Sequence, residues 1–430
     1  MERPEPAFGV NLEGPYFGPG RWASPLNYLP DVRQQMALPP RLTIHDVTLR
    51  DGEQTARVAF TVEEKLYLAL EMDRLGIPSI EPGLPATDED REVIRTLSGM
   101  KLRTRVTPLV RVREDDLQAA IAAGAPGMVL EFGINPYLVK YAYNLTPETL
   151  IERVVEYSRR AKDEAGMYVE FMGWDTFRIP SLEYVKRFFG EIIERGRVDR
   201  ITVSDTFGMA HPLAIQFFIR QLRAWFPQIP LGLHIHNDFG LATASALMAI
   251  ASGVDEVHCS VNSLGERAGN VATEEVAVAA EYLLGVPTGM RLQGLTRLSQ
   301  MVAEVSKVKP ATNKPIVGSR LFEVESGIII HILRQFQDTP IGVLGMMPYP
   351  PALVGQAGVE YVAGRGSGHN FVEMLLREMG RTASKEQAAA IVERIKQTAL
   401  VLKNGLPREV VESIVAETLD GGAQPARGGE

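Results

Sequence analysis

The sequence is poor in cysteine and has no long apolar runs. Cys259 is the only cysteine among 430 residues, which excludes an intrachain disulfide and a zinc site built from several thiolates. No uninterrupted apolar run reaches the roughly 18 residues that a membrane-spanning helix needs. The acidic, proline-rich start MERPEPAFG lacks the basic and then apolar pattern of a signal peptide. We therefore expect a cytoplasmic protein that does not enter a membrane.

Charge and composition narrow the possible classes of protein further. The 45 Lys and Arg residues are outnumbered by 53 Asp and Glu residues, which gives a net charge of −8. No basic run is present that could neutralise a row of phosphates, so we expect no nucleic-acid partner. Apolar residues make up 45% of the chain and charged residues 23%, as in ordinary folded proteins. The length of 430 residues favours one large domain with a smaller one.

From Leu42 onward, short apolar or β-branched segments alternate with longer segments of helical periodicity. No GxGxxG motif follows the first of them, which argues against the open doubly wound sheet of dinucleotide-binding domains. Eight strand and helix units over about 240 residues instead match a (β/α)8 TIM barrel with a parallel sheet. The eight predicted strands are residues 42–48, 78–83, 103–110, 127–133, 167–173, 200–205, 231–238 and 255–261.

Capping signals mark several helices. Thr61 and Glu64 form a capping box before a predicted helix over 61–76, and a helix over 384–405 is expected to end at Gly405. We predict an α/β fold in which the barrel is followed by a small helical C-terminal module. Its four parts are an extended N-terminal arm (1–40), the TIM barrel (41–285), a linker with the helical module (286–420) and a disordered tail (421–430).

The seventh predicted strand carries two histidines in the segment LGLHIHND. Strand side chains alternate between the two faces, so Leu233 and Ile235 should face the helices while His234 and His236 point into the barrel. The active site of a TIM barrel lies at the C-terminal ends of its strands. Two imidazoles at that place favour a metal site over the alternative of hydrogen-bonded core histidines.

Oxygen ligands can reach the same mouth from two other segments. The first strand runs into HDVTLRDGEQ, which places Arg50 and Asp51 just beyond it, although such a pair is more often a surface ion pair. The segment NSLGERAGN brings Asn270 to the rim, either near the metal or as an ordinary turn residue. Nitrogen and oxygen donors without sulfur predict Mg²⁺, Mn²⁺ or Zn²⁺, with no choice among them.

Two further polar residues are expected near the mouth. Glu170 should point inward from the fifth strand, and a buried carboxylate is costly unless it has a partner or a task. Thr206 follows the sixth strand in the segment VSDTFG. Either residue can also be an ordinary structural residue, so both are candidates only through their position.

Three segments together resemble the signatures of the 2-isopropylmalate, homocitrate and citramalate synthase family, whose metal-dependent barrels are related to hydroxymethylglutaryl-CoA lyase. The segments are HDVTLRDGEQ, GLHIHNDFGLATASALMAIASGVDEVHCSV and LGERAGNVATEEVAV. The resemblance implies a Claisen condensation of an acyl-CoA, with acetyl-CoA expected, and a 2-oxo acid. The products would be a 2-hydroxy dicarboxylic or tricarboxylic acid and CoA. A homodimer is implied as well.

The resemblance also implies roles for single residues at matching positions. The metal would be held by residues from the first and seventh strands, and a guanidinium would stabilise the enolate oxygen. The implied set is Asp51, His234, His236 and Asn270 for the metal, Arg50 and Glu170 for catalysis, and Arg50, Thr206 and Glu170 for substrate binding.

The chain departs from the family at the catalytic histidine of the second subdomain. Family members carry it in a segment like HESGIH, whereas this chain reads NKPIVGSRLFEVESGIIIH, with Val324 and Ile329 at the expected positions. His331 lies two residues later and is the candidate replacement, while His369 and Tyr349, which are also nearby in sequence, stay open as alternatives. Two alternatives stay open: cleavage of the retro-Claisen or aldol type on the same site, and a metal-binding relative without activity. Hydroxymethylglutaryl-CoA lyase itself fits poorly, because NSLGERAGN lacks the cysteine of its relatives.

Overall fold

The computed structural model describes residues 14–421. The described residues divide into two compact units, of which one is Ser24–Gly318 and the other joins residues 14–23 to residues 319–421. Residues 286–318, expected in the linker, therefore group with the barrel, and the predicted arm is shared between the units. That the chain divides into independently folding domains at residues 40, 285 and 420 stays a prediction. Most of the predicted disordered tail lies outside the described residues.

Eight segments of the chain form one parallel sheet inside the larger unit, and each of them falls within or next to a predicted strand. The third is interrupted at Thr107 and Pro108, where proline has no N–H to donate to a neighbouring strand. The strands are β1 (Thr43–Asp46), β2 (Ser79–Ile80), β3 (Arg105–Val106 and Leu109–Arg111), β4 (Gly127–Gly133), β5 (Tyr168–Trp174), β6 (Arg200–Asp205), β7 (Leu231–Ile235) and β8 (Glu256–Cys259).

The sheet closes on itself through the two pieces of β3. The first piece pairs with β2 and the second with β4, while β8 pairs with β1, so every strand has two parallel neighbours. A closed parallel sheet with a helix after each strand is a (β/α)8 barrel. The predicted fold class is confirmed.

The helices follow the strands and cover the outer face of the barrel. Thr61 caps the first of them through the predicted capping box with Glu64, and Gly76 ends it with φ of 82°. None of the helices between residues 14 and 421 is both long and apolar enough to cross a lipid bilayer. A four-residue helix, Pro30–Arg33, precedes the barrel. The longer helices of this unit are α1 (Val62–Leu75), α2 (Asp88–Gly99), α3 (Glu114–Ala122), α4 (Pro136–Tyr141), α5 (Pro147–Ala165), α6 (Leu182–Gly196), α7 (Pro212–Trp225), α8 (Ala242–Ile250), α9 (Thr273–Ala279) and α10 (Leu295–Ser306).

The second unit is mainly helical and has its own apolar core. A two-stranded parallel sheet, β9 (Glu323–Val324) and β10 (Glu360–Tyr361), packs with it. The prediction that the helix over 384–405 ends at Gly405 is wrong by three residues. This helix ends at Leu402, because Lys403 adopts the left-handed conformation with φ of 51°. The helices are α11 (Gly327–Phe336), α12 (His369–Glu378), α13 (Lys385–Leu402) and α14 (Arg408–Asp420).

Candidate metal and substrate site

A tight turn after β1 presents Arg50 and Asp51 at the mouth of the barrel. The carbonyl oxygen of Val47 accepts hydrogen bonds from the backbone N–H groups of Arg50 (3.2 Å) and Asp51 (2.8 Å), so the chain folds back directly beyond the strand. Both side chains are almost fully buried. The sequence-based alternative of a surface ion pair is therefore excluded, although Arg50 Nη1 does donate to Asp51 Oδ2 at 3.0 Å.

His234 and His236 meet Asp51 as the alternation along β7 predicts. Asp51 Oδ2 lies 3.5 Å from His234 Nε2 and 3.9 Å from His236 Nε2, and the two Nε2 atoms are 3.3 Å apart. Leu233 and Ile235, on the other face of β7, are buried apolar residues. Three ligand atoms from two distant segments of the chain thus converge at one point.

The charges in this group suit a cation. Burial lowers the pKa of both His234 and His236, although Asp51 opposes the shift, so both imidazoles are neutral and have a free ring nitrogen. Burial alone would raise the pKa of Asp51, but Arg50 and the two histidines lower it overall. The group therefore offers one carboxylate and two neutral imidazoles, which are the protonation states that a metal ion requires.

Asn270 completes this corner of the mouth. Its side chain is fully buried, its Nδ2 donates to the carbonyl oxygen of Leu264 at 3.1 Å, and its Oδ1 has no partner among the described residues. The glycine-rich loop makes this placement possible: a Cβ atom on Gly265, whose φ is 145°, would lie 2.3 Å from Asn270 Nδ2 and 3.0 Å from Asp51 Oδ1.

These four residues fit a divalent metal ion. With metal–ligand bonds of about 2.1 to 2.2 Å, two ligand atoms on one ion lie roughly 3 to 3.6 Å apart, close to the observed separations of 3.3, 3.5 and 3.9 Å. Asp51 Oδ1 and Asn270 Oδ1 are buried without a hydrogen-bond partner in the described part of the chain. Buried orphan acceptors of this kind are costly unless they bind something.

Arg50 is held in place from below by Glu81. Its Nε donates to Glu81 Oε2 at 2.5 Å, and His45 Nε2 lies 3.1 Å from the other carboxylate oxygen. Burial would raise the pKa of Glu81, but Arg50 and His45 hold it far below its usual range. Arg50 Nη2 has no partner among residues 14–421. One N–H edge of a fixed guanidinium is therefore available beside the group of ligands.

The structure corrects the expected position of Glu170. This residue does point into the barrel, but it lies four residues before Trp174 on β5, which is about 13 Å along a strand. Trp174 lines the mouth cavity and Glu170 does not. The Glu170 carboxylate instead accepts hydrogen bonds from Thr202 Oγ1 (2.5 Å) and His258 Nε2 (2.8 Å) in the barrel interior. These contacts support the alternative that Glu170 is a structural residue, a buried carboxylate with hydrogen-bond partners.

Glu170 belongs to a second buried group that could hold a metal ion, formed by His45, Glu170, Glu256 and His258. Its carboxylates already have cationic partners. Arg200 Nη1 donates to Glu256 Oε2 at 2.5 Å. Burial opposes a charge on His258, yet Glu170 and Glu256 raise its pKa to about 10. Because a guanidinium and an imidazolium neutralise this group, the mouth group is the better candidate for a metal.

A cavity of about 260 Å³ lies over the mouth group, close to the lower end of the range for small-molecule pockets. Thr206 lines it, and its hydroxyl oxygen accepts the backbone N–H of Asp175 at 2.9 Å, which leaves the hydroxyl proton available. The lining residues are Arg50, Asp51, Gln54, Leu84, Leu109, Arg111, Glu131, Trp174, Thr206, His234, His236 and Glu266.

A second cavity, of about 580 Å³, shares the residues Arg111, Glu131 and Trp174 with the first. Apolar and aromatic side chains such as Phe132 and Tyr143 form much of its wall. Glu131, Glu81 and Trp174 were not among the residues predicted from the sequence. The signal for Glu131 was a carboxylate within the otherwise apolar strand GMVLEFG.

The residues at and near the expected second-subdomain histidines lie in the other unit. Val324 is buried in that unit's apolar core and Ile329 packs against it. His331 is exposed on α11, and its role stays a prediction. Cys259 is a buried thiol in β8, and burial raises its pKa well above the usual value, so it is not a reactive group.

Comparison with known proteins agrees with this architecture. The sequence pattern of the HMGL-like family matches residues 41–302. The 2-isopropylmalate synthase of Methanocaldococcus jannaschii is 34% identical over 391 residues, which cover 90% of this chain and 73% of that protein. Homocitrate synthase AksA of Methanopyrus kandleri is 33% identical over 370 residues, which cover 86% and 90% of the two chains.

Among solved structures, an HMG-CoA lyase from Bacillus subtilis superposes with a TM-score of 0.57 at 21% identity, covering 65% of this chain and 98% of that one. At that identity the likeness shows the fold alone. The sequence identity to the synthases extends over most of the chain and therefore establishes the family to which the chain belongs. The chain belongs to the HMGL-like family, together with the 2-isopropylmalate, homocitrate and citramalate synthases.

Proposed function

We propose that this protein catalyses the divalent-metal-dependent Claisen condensation of an acyl-CoA, with acetyl-CoA as the expected donor, and a 2-oxo acid. The products are a 2-hydroxy dicarboxylic or tricarboxylic acid and CoA. The observation that carries the proposal is the convergence of Asp51, His234 and His236, within 3.9 Å of one another, beside the free N–H edge of Arg50. Curated relatives named as synthases support the same class.

The proposed metal ligands are Asp51, His234 and His236, with the Asn270 amide oxygen beside them. Their nitrogen and oxygen atoms suit Mg²⁺, Mn²⁺ or Zn²⁺. When bound, such an ion would polarise the ketone of the 2-oxo acid as a Lewis acid. The residues themselves prepare the site, because burial keeps both imidazoles neutral and Arg50 keeps Asp51 ionised.

Arg50 and Thr206 are the proposed groups that bind the reacting molecules directly. The Nη2 of Arg50, fixed by Glu81, can donate to an oxygen that becomes negative during enolate formation. A donor held in place by a buried carboxylate loses little free energy in reorganising. The Thr206 hydroxyl can donate its proton to the carboxylate of the 2-oxo acid, since its oxygen already accepts the Asp175 N–H.

Cleavage in the opposite direction is the second candidate, because HMG-CoA lyases share the fold. The only cysteine argues against cleavage of the HMG-CoA lyase type, because Cys259 is buried within β8 and its thiol pKa is strongly raised. The proposal includes a homodimer and a cytoplasmic location.

The experiment is an assay of CoA release. Purified protein with Mn²⁺ or Mg²⁺ and acetyl-CoA is incubated with a panel of 2-oxo acids, and free thiol is followed. Release with one member of the panel, dependent on the metal, is the expected result. No release across the panel, together with breakdown of a 2-hydroxy acid or a hydroxyacyl-CoA, would replace condensation by cleavage.

A further inference from the structure

Two carboxylates of the mouth cavity, Glu131 and Glu266, are used neither by the proposed metal site nor by the Arg50 anchor. Glu266 is exposed and lies 3.6 Å from Arg267 Nη1, which leaves Glu131 as the candidate. Glu131 extends from β4 and lines both the 260 Å³ cavity and the 580 Å³ cavity. Its backbone belongs to the sheet, but among residues 14–421 its carboxylate forms no hydrogen bond and no ion pair. Arg111, which is opposite Glu131 on the neighbouring strand, already donates to both oxygens of Asp116, at 2.7 and 3.0 Å. Glu131 is thus a partly buried carboxylate that faces the reaction space without a fixed partner.

A condensing enzyme needs a base at this place. The methyl group of acetyl-CoA must lose a proton before its carbon can attack a ketone, and positions 324 and 329, where the resemblance led us to expect histidine, hold Val324 and Ile329 in an apolar core. Within the barrel unit, the two cavities meet at a wall formed by Arg111, Glu131 and Trp174. A thioester that enters from the larger cavity and reaches the smaller one must pass this wall.

We propose that the Glu131 carboxylate is the general base that removes the proton from the carbon next to the thioester carbonyl, an inference that rests on the proposed function. The C–H bond breaks, the proton bonds to a Glu131 oxygen, and the electron pair moves onto the thioester oxygen, toward Arg50. The enolate carbon then bonds to the ketone carbon of the 2-oxo acid, whose oxygen takes up the negative charge. Solvent protonates that oxygen, and the Glu131 carboxyl returns its proton to solvent. Water hydrolyses the thioester and releases CoA.

The electrostatic surroundings of Glu131 agree with this role. Burial and the nearby carboxylates raise its pKa to about 7, although Arg50 acts against the shift. A base with a pKa near the working pH combines a useful ionised fraction with enough proton affinity to take the proton. The charged and titratable groups around Glu131 are Arg50, Arg111 and His258 on the cationic side, Asp51 and Glu81 on the anionic side, and the Tyr143 hydroxyl.

The test compares Glu131→Gln with the wild type and with Glu183→Gln, which changes an exposed glutamate at the start of α6. The 2-oxo acid is the one that releases CoA with the wild type. We expect kcat of Glu131→Gln to fall at least 100-fold, as loss of a general base does, with KM for the 2-oxo acid and the bound metal unchanged. Glu183→Gln should retain the wild-type kcat.

A second variant separates a base from a structural residue. Glu131→Ala should be equally slow and should regain activity with added formate or acetate, more with the more basic anion. A kcat of Glu131→Gln within threefold of the wild type would overturn the role of Glu131 while leaving condensation intact. Loss of activity together with loss of metal, and without rescue of Glu131→Ala, would also overturn it. If the wild type releases no CoA with any 2-oxo acid, the proposed function itself fails.

Discussion

The Nε2 atoms of His234 and His236 lie 3.3 Å apart and both face Asp51. Burial keeps the two rings neutral, so two nitrogen lone pairs point at each other unless a proton or a cation lies between them. Each of the two buried imidazoles needs a polar partner in the barrel interior. Side-chain packing alone does not supply such a partner and so does not explain why the rings lie this close. A shared metal ion satisfies both nitrogens and the carboxylate at once.

Replacing His234 by Ala should remove metal binding. The purified wild type is expected to hold about one divalent ion per chain. The affinity of His234→Ala for this ion should fall by more than the roughly 10- to 100-fold that is lost when a hydrogen-bond partner of a metal ligand is removed. Metal content after dialysis, measured by elemental analysis, checks this. His369→Ala, at an exposed histidine of α12, is the matched control and should keep its ion. Equal metal content in both variants would contradict the assignment.

Replacing Arg50 should lower the rate of CoA release and leave metal binding unchanged. Arg50→Gln keeps a donor of similar reach but loses the charge and the ion pair with Glu81, so kcat/KM for CoA release should fall by about 100- to 1,000-fold. The metal content should stay near the wild-type value. Arg187→Gln, at an exposed ion pair with Glu148, should leave both quantities unchanged. A nearly active Arg50→Gln protein would show that the free N–H edge does not stabilise the reacting oxygen.

The barrel and the convergence of Asp51, His234 and His236 could be predicted from sequence because both depend on local patterns. The alternation in LGLHIHND fixes which side chains point inward, and the turn after β1 follows directly from the strand end. Glu170 was misplaced because the pattern gives the face of a side chain but not its height in the barrel: β5 runs on to Trp174, four residues above it. The height depends on strand register, which only the folded sheet determines.

Glu131 and Glu81 show the second limit of sequence reasoning. Each lies in or at the end of a strand and has nothing in its local sequence that identifies a partner. Their significance comes from contacts with residues far along the chain, such as the 2.5 Å bond between Arg50 and Glu81. Long-range polar pairs of this kind follow from how the strands meet and leave no periodic pattern in the sequence.

Thr206 should contribute to binding of the 2-oxo acid. Thr206→Val keeps the shape of the side chain but removes the hydroxyl, and a hydrogen bond to a charged group is worth roughly 1.5 to 3 kcal/mol. We therefore expect KM for the 2-oxo acid to rise about 10- to 100-fold, with a smaller change in KM for acetyl-CoA. Thr206→Ser, which restores the hydroxyl, should recover most of the affinity. An unchanged KM in Thr206→Val would exclude this contact.

The buried pair of His258 and Glu170 should make stability fall in alkaline solution. The pKa of His258 is raised to about 10 in the folded protein, against about 6.5 for an unfolded histidine. Its contribution is therefore complete below pH 6.5 and is lost as the pH rises through 10. One such proton changes the free energy of unfolding by up to about 1.4 kcal/mol per pH unit.

The measurement is the thermal midpoint of the metal-free protein between pH 6 and 10, for the wild type and for the double variant Glu170→Gln/His258→Gln. The double variant keeps a polar pair without the ionisable imidazole, so its midpoint should decline less over this range. Parallel curves for the two proteins would mean that His258 is not charged in the folded barrel.

The most direct test of the account is a crystal structure grown with Mn²⁺ and recorded at a wavelength that gives anomalous scattering from manganese. We expect one strong anomalous peak within bonding distance of Asp51, His234 Nε2 and His236 Nε2. A peak between His45, Glu170, Glu256 and His258, or no peak at the mouth of the barrel at saturating Mn²⁺, would contradict it.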